Sequence, residues 1–153
     1  MKSLSTTGLS DATECDTAIT QGGLVTCSLI VVDDFHDTLV TLQELFSLNC
    51  RDVRAASSGT EAIALMKERP ASIVLIDEDL YDFSDSDLAF HLKALVQTHY
   101  PHRECITVAV RGDLSPDEMR DFPGFDYAFS KPLDFAKFDA FVAQCDQKLR
   151  NRE

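Results

Sequence analysis

Basic residues are scarce in this sequence, and their scarcity limits the partners that the protein can have. Of its 153 residues, 14 are Lys or Arg and 26 are Asp or Glu, so the formal net charge is −12 at pH 7. An acidic surface repels the phosphates of nucleic acids, and we therefore expect no binding of DNA or RNA. The same charge favours basic protein surfaces and divalent cations as partners.

Long apolar runs are also missing. No stretch approaches the roughly 20 apolar residues that cross a bilayer. The N-terminus likewise has no apolar segment of the kind found in secretion signals. We therefore expect a cytoplasmic protein with no membrane insertion.

Several motifs of catalysis and metal binding are absent. The sequence contains no glycine-rich phosphate loop, no G-x-S-x-G and no H-E-x-x-H. Its five cysteines are scattered and form no C-x-x-C pair, so we expect reduced thiols and no zinc site. The four histidines are dispersed over predicted helices and loops, which favours solvated side chains over catalytic ones.

What the sequence does contain is a regular alternation of strand and helix patterns. Short apolar runs, typical of buried strands, alternate with segments whose apolar residues recur at helical spacing. Strands are predicted at 28–32, 53–56, 72–77, 105–110 and 125–129, and helices at 35–49, 60–69, 86–98, from Ser115, and at 134–149. The pattern predicts an α/β fold, with a doubly wound five-stranded parallel sheet of order 2-1-3-4-5 and five flanking helices.

The length suits one domain, which we place at 24–150. Residues 1–23 are rich in Ser, Thr and Gly and show no apolar period, so we expect a flexible N-terminal extension there.

Asp77 ends a short, unbroken apolar run, the third predicted strand, and is the leading candidate for a reactive residue. Taken alone, it could simply stop the strand and cap the next loop, because Asp is common in turns. In the predicted sheet, however, the first, third and fifth strands end at one rim. That rim collects Asp33 and Asp34 from the first strand, Asp77 from the third, and Lys131 from the fifth.

Such a cluster of carboxylates needs a cation. Two carboxylates at ~4 Å repel by about 1 kcal/mol in water and by several times more near a protein surface. Hard oxygen ligands at an open rim suit Mg²⁺. A carboxylate, a hard cation and a lysine together suit phosphoryl transfer, with Asp77 as nucleophile and Lys131 neutralising charge on the phosphoryl oxygens.

These motifs, in this order, resemble the response-regulator receiver domain (CheY-like) of two-component and phosphorelay signalling. The resemblance rests on Asp33-Asp34, Asp77 and Lys131-Pro132, and extends over residues 28–149. It implies a flavodoxin-like, CheY-like fold. It also implies a phospho-accepting signalling domain rather than an enzyme, with slow self-dephosphorylation left open.

The resemblance also implies roles for single residues. Asp77 would be the phosphoacceptor. Asp34, supported by Asp33, would bind Mg²⁺ together with Asp77 and the backbone carbonyl of Asp79. Lys131 would contact the phosphoryl group, and the proline after it often follows a cis peptide bond in this family.

Among the departures from the family pattern are the two positions whose coupled motion carries the family's usual signal. Arg111-Gly112 stands where the family has Thr or Ser followed by a small residue, and Ala128 stands where it usually has Tyr or Phe. Three roles for Arg111 are open. It could bind the phosphoryl group, pair with Asp77 or Asp113 at rest, or point into solvent.

Two functions remain open at this stage. The first is a single-domain response regulator that is phosphorylated on Asp77 by a histidine kinase or a histidine phosphotransfer protein. It would signal to a downstream protein through a non-standard switch at Arg111 and Ala128, as a monomer or weak dimer. The alternative is a receiver-like interaction module that phosphorylation does not regulate. A haloacid-dehalogenase-like phosphatase would need Asp-x-Asp after the first strand, where this chain has Asp33-Asp34-Phe35.

Overall fold

The computed structural model describes residues 27–47, 51–112 and 123–151. The predicted N-terminal extension and the short helix predicted from Ser115 lie outside these ranges. Within them, no helix is long and apolar enough to cross a membrane.

The described residues form a five-stranded parallel sheet with helices packed on both faces. The strands are β1 (Leu29–Val32), β2 (Val53–Ala56), β3 (Ile73–Asp77), β4 (Ile106–Arg111) and β5 (Tyr127–Ser130). The helices are α1 (His36–Ser47), α2 (Gly59–Glu68), α3 (Asp85–His99) and α4 (Phe135–Asn151). The strand order is β2-β1-β3-β4-β5, which confirms the predicted fold class. Four of the five predicted helices fall within the described ranges.

The core consists of two apolar layers, one on each face of the sheet. Successive side chains of a strand point to opposite faces, so Ile30 and Val74 lie in one layer while Leu29 and Ile73 lie in the other. Helices α2 and α3 cover the first layer, and α1 and α4 cover the second. Each buried Ile or Leu contributes about 2 kcal/mol to folding. Because β1 and β3 are buried on both faces, they read as unbroken apolar runs in the sequence.

The fifth strand starts two residues later than the sequence indicates. The predicted strand begins at Phe125, whereas β5 begins at Tyr127. The carboxylate of Asp126 accepts a hydrogen bond of 2.9 Å from the Thr107 backbone N–H, and the Thr107 hydroxyl donates to the Gly124 carbonyl at 2.6 Å. These contacts hold the incoming chain against the start of β4 before the regular ladder begins.

Cys27, Cys105 and Cys145 are free and buried. Burial raises the pKa of the Cys27 and Cys105 thiols to about 12. These two thiols therefore stay protonated at neutral pH and behave as small core residues. Cys15 and Cys50 lie outside the described ranges.

Candidate functional site

The carboxyl ends of β1 and β3 bring three carboxylates together. Asp33 and Asp34 follow β1, and Asp77 is the last residue of β3. One carboxylate oxygen from each of the three lies within 4.8 Å of the other two. Asp77 is buried, with 6% of its surface exposed, whereas Asp33 is half-buried and Asp34 is exposed. The cluster is therefore anchored in the sheet and open to solvent on one side.

Asp33 is less readily ionised than an exposed aspartate, because its pKa is raised. Burial raises the pKa of its carboxyl group, and the nearby Asp77 raises it further. A hydrogen bond of 2.9 Å from the Phe35 backbone N–H acts in the opposite direction without cancelling the rise. An all-oxygen donor set under mutual repulsion fits a hard divalent cation such as Mg²⁺.

Asp79 lies next to this cluster. Its backbone N–H is 3.4 Å from Oδ2 of Asp77, and the residue lines the same cavity as Asp33 and Asp34. That cavity has a volume of about 670 Å³, with carboxylates and Lys131 beside its apolar wall. The role of the Asp79 carbonyl as a metal ligand stays a prediction.

Lys131 supplies positive charge to the acidic rim. Its Nζ lies 2.6 Å from Oδ1 of Asp77, and this hydrogen bond is the main reason that the pKa of Lys131 is raised. The Lys131 backbone N–H donates to the Arg111 carbonyl at 2.8 Å, which ties the residue to the end of β4. The peptide bond between Lys131 and Pro132 is cis, as the family resemblance implied.

Arg111 has a partner that was not predicted. Its Nη2 lies 2.7 Å from Oδ2 and 2.9 Å from Oδ1 of Asp85, the first residue of α3. Asp85 is buried and also accepts a 2.8 Å hydrogen bond from the Ser86 N–H. The solvent-facing role for Arg111 is therefore wrong, because the guanidinium is held by a buried carboxylate. Asp113, one of the predicted partners, lies outside the described residues.

Ala128 lies in the middle of β5 and is half-buried. It pairs with Ala109 of β4 in the register of the sheet. Two small side chains thus lie side by side on these neighbouring strands. Ala128 is the one that stands where the family pattern has an aromatic residue.

Sequence reasoning missed Glu78. Its Oε1 accepts a 3.0 Å hydrogen bond from the Gly112 backbone N–H and lies 3.8 Å from Nζ of Lys131. The only signal in the sequence was its place directly after Asp77. Strand alternation would have aimed the two side chains apart, but the chain leaves β3 at Asp77 and the alternation does not continue.

Asp82 anchors the loop between β3 and α3. Its carboxylate accepts hydrogen bonds of 2.9 Å from the backbone N–H groups of Gly59 and Thr60, and one of 2.8 Å from the Thr60 hydroxyl. Burial alone would raise the pKa of Asp82, but these bonds to the start of α2 lower it. The loop that follows the phosphoacceptor candidate is thus held at Asp82 on one side and at Asp85 on the other.

Solved structures show the same architecture. A response regulator receiver domain (CheY-like) from Methylobacillus flagellatus superposes with a TM-score of 0.63 and 26% identity, covering 78% of this chain and 98% of that one. This chain has the fold of a CheY-like receiver domain. A two-component response regulator from Clostridium difficile matches this chain with a TM-score of 0.69 and 16% identity, over 82% of this chain and 99% of that one.

Two further proteins are similar to this chain. The co-crystal structure of the Saccharomyces cerevisiae phosphotransfer protein Ypd1 with the receiver domain of Ssk1 matches with a TM-score of 0.70 and 17% identity, over 81% of this chain and 92% of that one. A probable cyclic di-GMP phosphodiesterase of Vibrio cholerae is 25% identical over 131 residues, or 83% of this chain. The chain spans 28% of the length of that relative. No protein-family model matches the chain.

Proposed function

We propose that this receiver domain accepts a phosphoryl group on Asp77 and signals by protein contact. The observation that carries the proposal is the 2.6 Å contact between Lys131 Nζ and Asp77 Oδ1, beside two further carboxylates. A buried carboxylate beside an ammonium and a cluster of carboxylates that suits a cation has the groups that phosphoryl transfer to a carboxylate needs.

The donor would be a phosphohistidine of a histidine kinase or of a phosphotransfer protein. An Asp77 oxygen attacks the phosphorus, and the new P–O bond forms as the P–N bond breaks. The electron pair of the broken bond stays on the histidine nitrogen. Lys131 neutralises charge on the phosphoryl oxygens. A Mg²⁺ ion bound by Asp33, Asp34, Asp77 and the Asp79 carbonyl would supply further charge neutralisation there. The yeast complex of a receiver domain with a phosphotransfer protein supports this kind of donor.

Arg111 would carry the signal away from Asp77. Asp77 pairs in the sheet with Val110, the residue before Arg111, and neighbouring strands are about 4.8 Å apart. A phosphoryl group on Asp77 brings about two negative charges, which compete with Asp85 for the guanidinium. Loss of the Arg111–Asp85 bonds would free the start of α3. Ala128 has no aromatic ring that could move on activation. The switch therefore depends on the exchange of Arg111 between Asp85 and the phosphoryl group.

Labelling with radioactive acetyl phosphate and Mg²⁺ tests the proposal. The parent protein and the matched control Asp37→Asn, which changes an exposed carboxylate on α1, should incorporate phosphate to the same extent. Asp77→Asn should incorporate none, and chelation of Mg²⁺ should abolish labelling of the parent. Equal labelling of Asp77→Asn and the parent would show that Asp77 is not the acceptor.

A second function is favoured by the bonded state of Arg111. A receiver-like module that is insensitive to phosphorylation would keep the Arg111–Asp85 pair permanently. Pull-downs with and without beryllofluoride, an analogue of the phosphoryl group, separate the two functions. A partner whose binding changes with the analogue supports the switch, whereas an identical set of partners supports the constitutive module.

A further inference from the structure

Glu78 occupies a position between the phosphoacceptor candidate and the end of β4. Its Oε1 accepts a 3.0 Å hydrogen bond from the Gly112 N–H. The same oxygen lies 3.8 Å from Nζ of Lys131. The Glu78 side chain is 21% exposed, so solvent screens its charge only in part.

Lys131 lies close to two carboxylates at once. Its ammonium lies 2.6 Å from Asp77 and 3.8 Å from Glu78, so the negative charges of both carboxylates act on it. A phosphoryl group that arrives on Asp77 brings additional negative charge into this small space. Glu78 already neutralises part of the Lys131 charge, which weakens the attraction between the ammonium and the phosphoryl group. The negative charge of Glu78 also repels the phosphoryl group directly.

Gly112 lies beside both side chains. A Cβ atom added at this position would meet Glu78 Oε1 at 3.6 Å and Cδ of Lys131 at 3.9 Å, which are ordinary contact distances, so a small side chain would fit there without displacing either group. Its N–H points at the acidic rim and is bonded to a carboxylate. An anion at Asp77 could take this donor only if Glu78 released it.

We infer that Glu78 is an internal competitor of the phosphoryl group, and that its carboxylate sets how readily Asp77 accepts one. The inference rests on the proposed function and adds a residue that determines its rate. In the resting protein Glu78 takes up the Gly112 N–H and part of the Lys131 charge. On phosphorylation it withdraws, and both groups become available to the phosphoryl oxygens.

Two substitutions separate the charge of Glu78 from its hydrogen bond. Glu78→Gln removes the charge but keeps an oxygen that can accept from the Gly112 N–H. Glu78→Ala removes both. Glu44→Gln is the matched control, because it makes the same change in net charge at an exposed site on α1. The rate constant of Asp77 labelling by acetyl phosphate is measured for all four proteins, together with the beryllofluoride concentration that half-saturates each one.

Both Glu78 variants should label roughly fivefold to tenfold faster than the parent, and should bind beryllofluoride more tightly by a similar factor. Glu44→Gln should match the parent. The gain should persist at 0.5 M salt, because a half-buried charge is screened less than surface charges are. Glu78→Ala should label faster than Glu78→Gln, because it also releases the Gly112 N–H; equal rates would show that only the charge of Glu78 competes.

The outcomes distinguish this inference from the proposed function. If the parent labels on Asp77 and neither Glu78 variant labels faster, the competitor role is wrong and the phosphoacceptor role stands. If the parent labels poorly and the Glu78 variants label well, Glu78 is a strong competitor. If none of the four proteins labels, both proposals fall, because removing the competitor did not open the site.

Discussion

The contact between Arg111 and Asp85 can be tested as an energetic coupling that depends on activation. The perturbation is a double-mutant cycle made of Arg111→Met, Asp85→Asn and the combined variant. Each protein is unfolded with urea, with and without beryllofluoride and Mg²⁺. The cycle isolates the free energy that the two side chains share.

The structure sets the expected size of this coupling. Two hydrogen bonds of 2.7 and 2.9 Å join the guanidinium to a carboxylate whose side chain is 6% exposed, while Arg111 is 24% exposed. Breaking a fully buried pair costs about 3–5 kcal/mol, because a buried charge loses its partner. Partial exposure of Arg111 reduces that cost, so we expect each single variant to lose about 2–3 kcal/mol and the coupling to be about 2 kcal/mol.

Activation should reduce this coupling. If a phosphoryl analogue on Asp77 draws Arg111 away, the coupling with Asp85 should fall below about 0.5 kcal/mol. A second cycle on Arg51 and Asp146 serves as the control. This pair lies next to Cys27, at the amino-terminal end of β1, and its coupling should be the same with and without beryllofluoride. An Arg111–Asp85 coupling that is the same with and without beryllofluoride would refute the switch. A coupling near zero without beryllofluoride would refute the size expected from the structure.

Two further predictions concern stability. Arg51 and Asp146 are each 8% exposed, and the Asp146 carboxylate also accepts a 2.7 Å bond from the Cys27 N–H. Asp146→Asn should therefore cost about 3 kcal/mol in urea unfolding, while labelling of Asp77 in the folded protein stays unchanged. The bonds from the start of α2 lower the pKa of Asp82, so its contribution is present above the ordinary value of 3.8 and is lost as the pH falls through the lowered one. Asp82→Asn should lose at most about 1 kcal/mol at pH 7, and a loss that persists undiminished at pH 2 would contradict the assignment.

Much of this architecture was predictable because its signals are local. An apolar run long enough for a buried strand, followed by helical spacing and a short connection, leaves few arrangements open. The strand order in turn predicts that Asp33, Asp77 and Lys131 lie at one rim, since Asp77 ends a strand and the other two directly follow one. Among the strands, the least accurate boundary was the start of the fifth, where bonds between the Asp126 and Thr107 segments precede the regular ladder.

The side-chain partners around the rim were not predictable in the same way. Arg111 and Asp85 are 26 residues apart in the chain, and Gly112 and Glu78 are 34 apart. Their meeting depends on the path of the loop from β3 to α3, which the bonds from Asp82 to the start of α2 help to hold. No periodicity of apolar residues encodes such a path.

The sequence by itself determined the sheet, its order and the rim on which carboxylates and a lysine meet, because the burial of alternating apolar segments dictates them. Only the tertiary structure decided which charged groups pair across that rim. Arg111 is bonded to Asp85, and Glu78 lies between Lys131 and Gly112. Ion pairs form between whichever side chains the loops bring within a few ångströms of each other, and that proximity is a property of the folded chain alone.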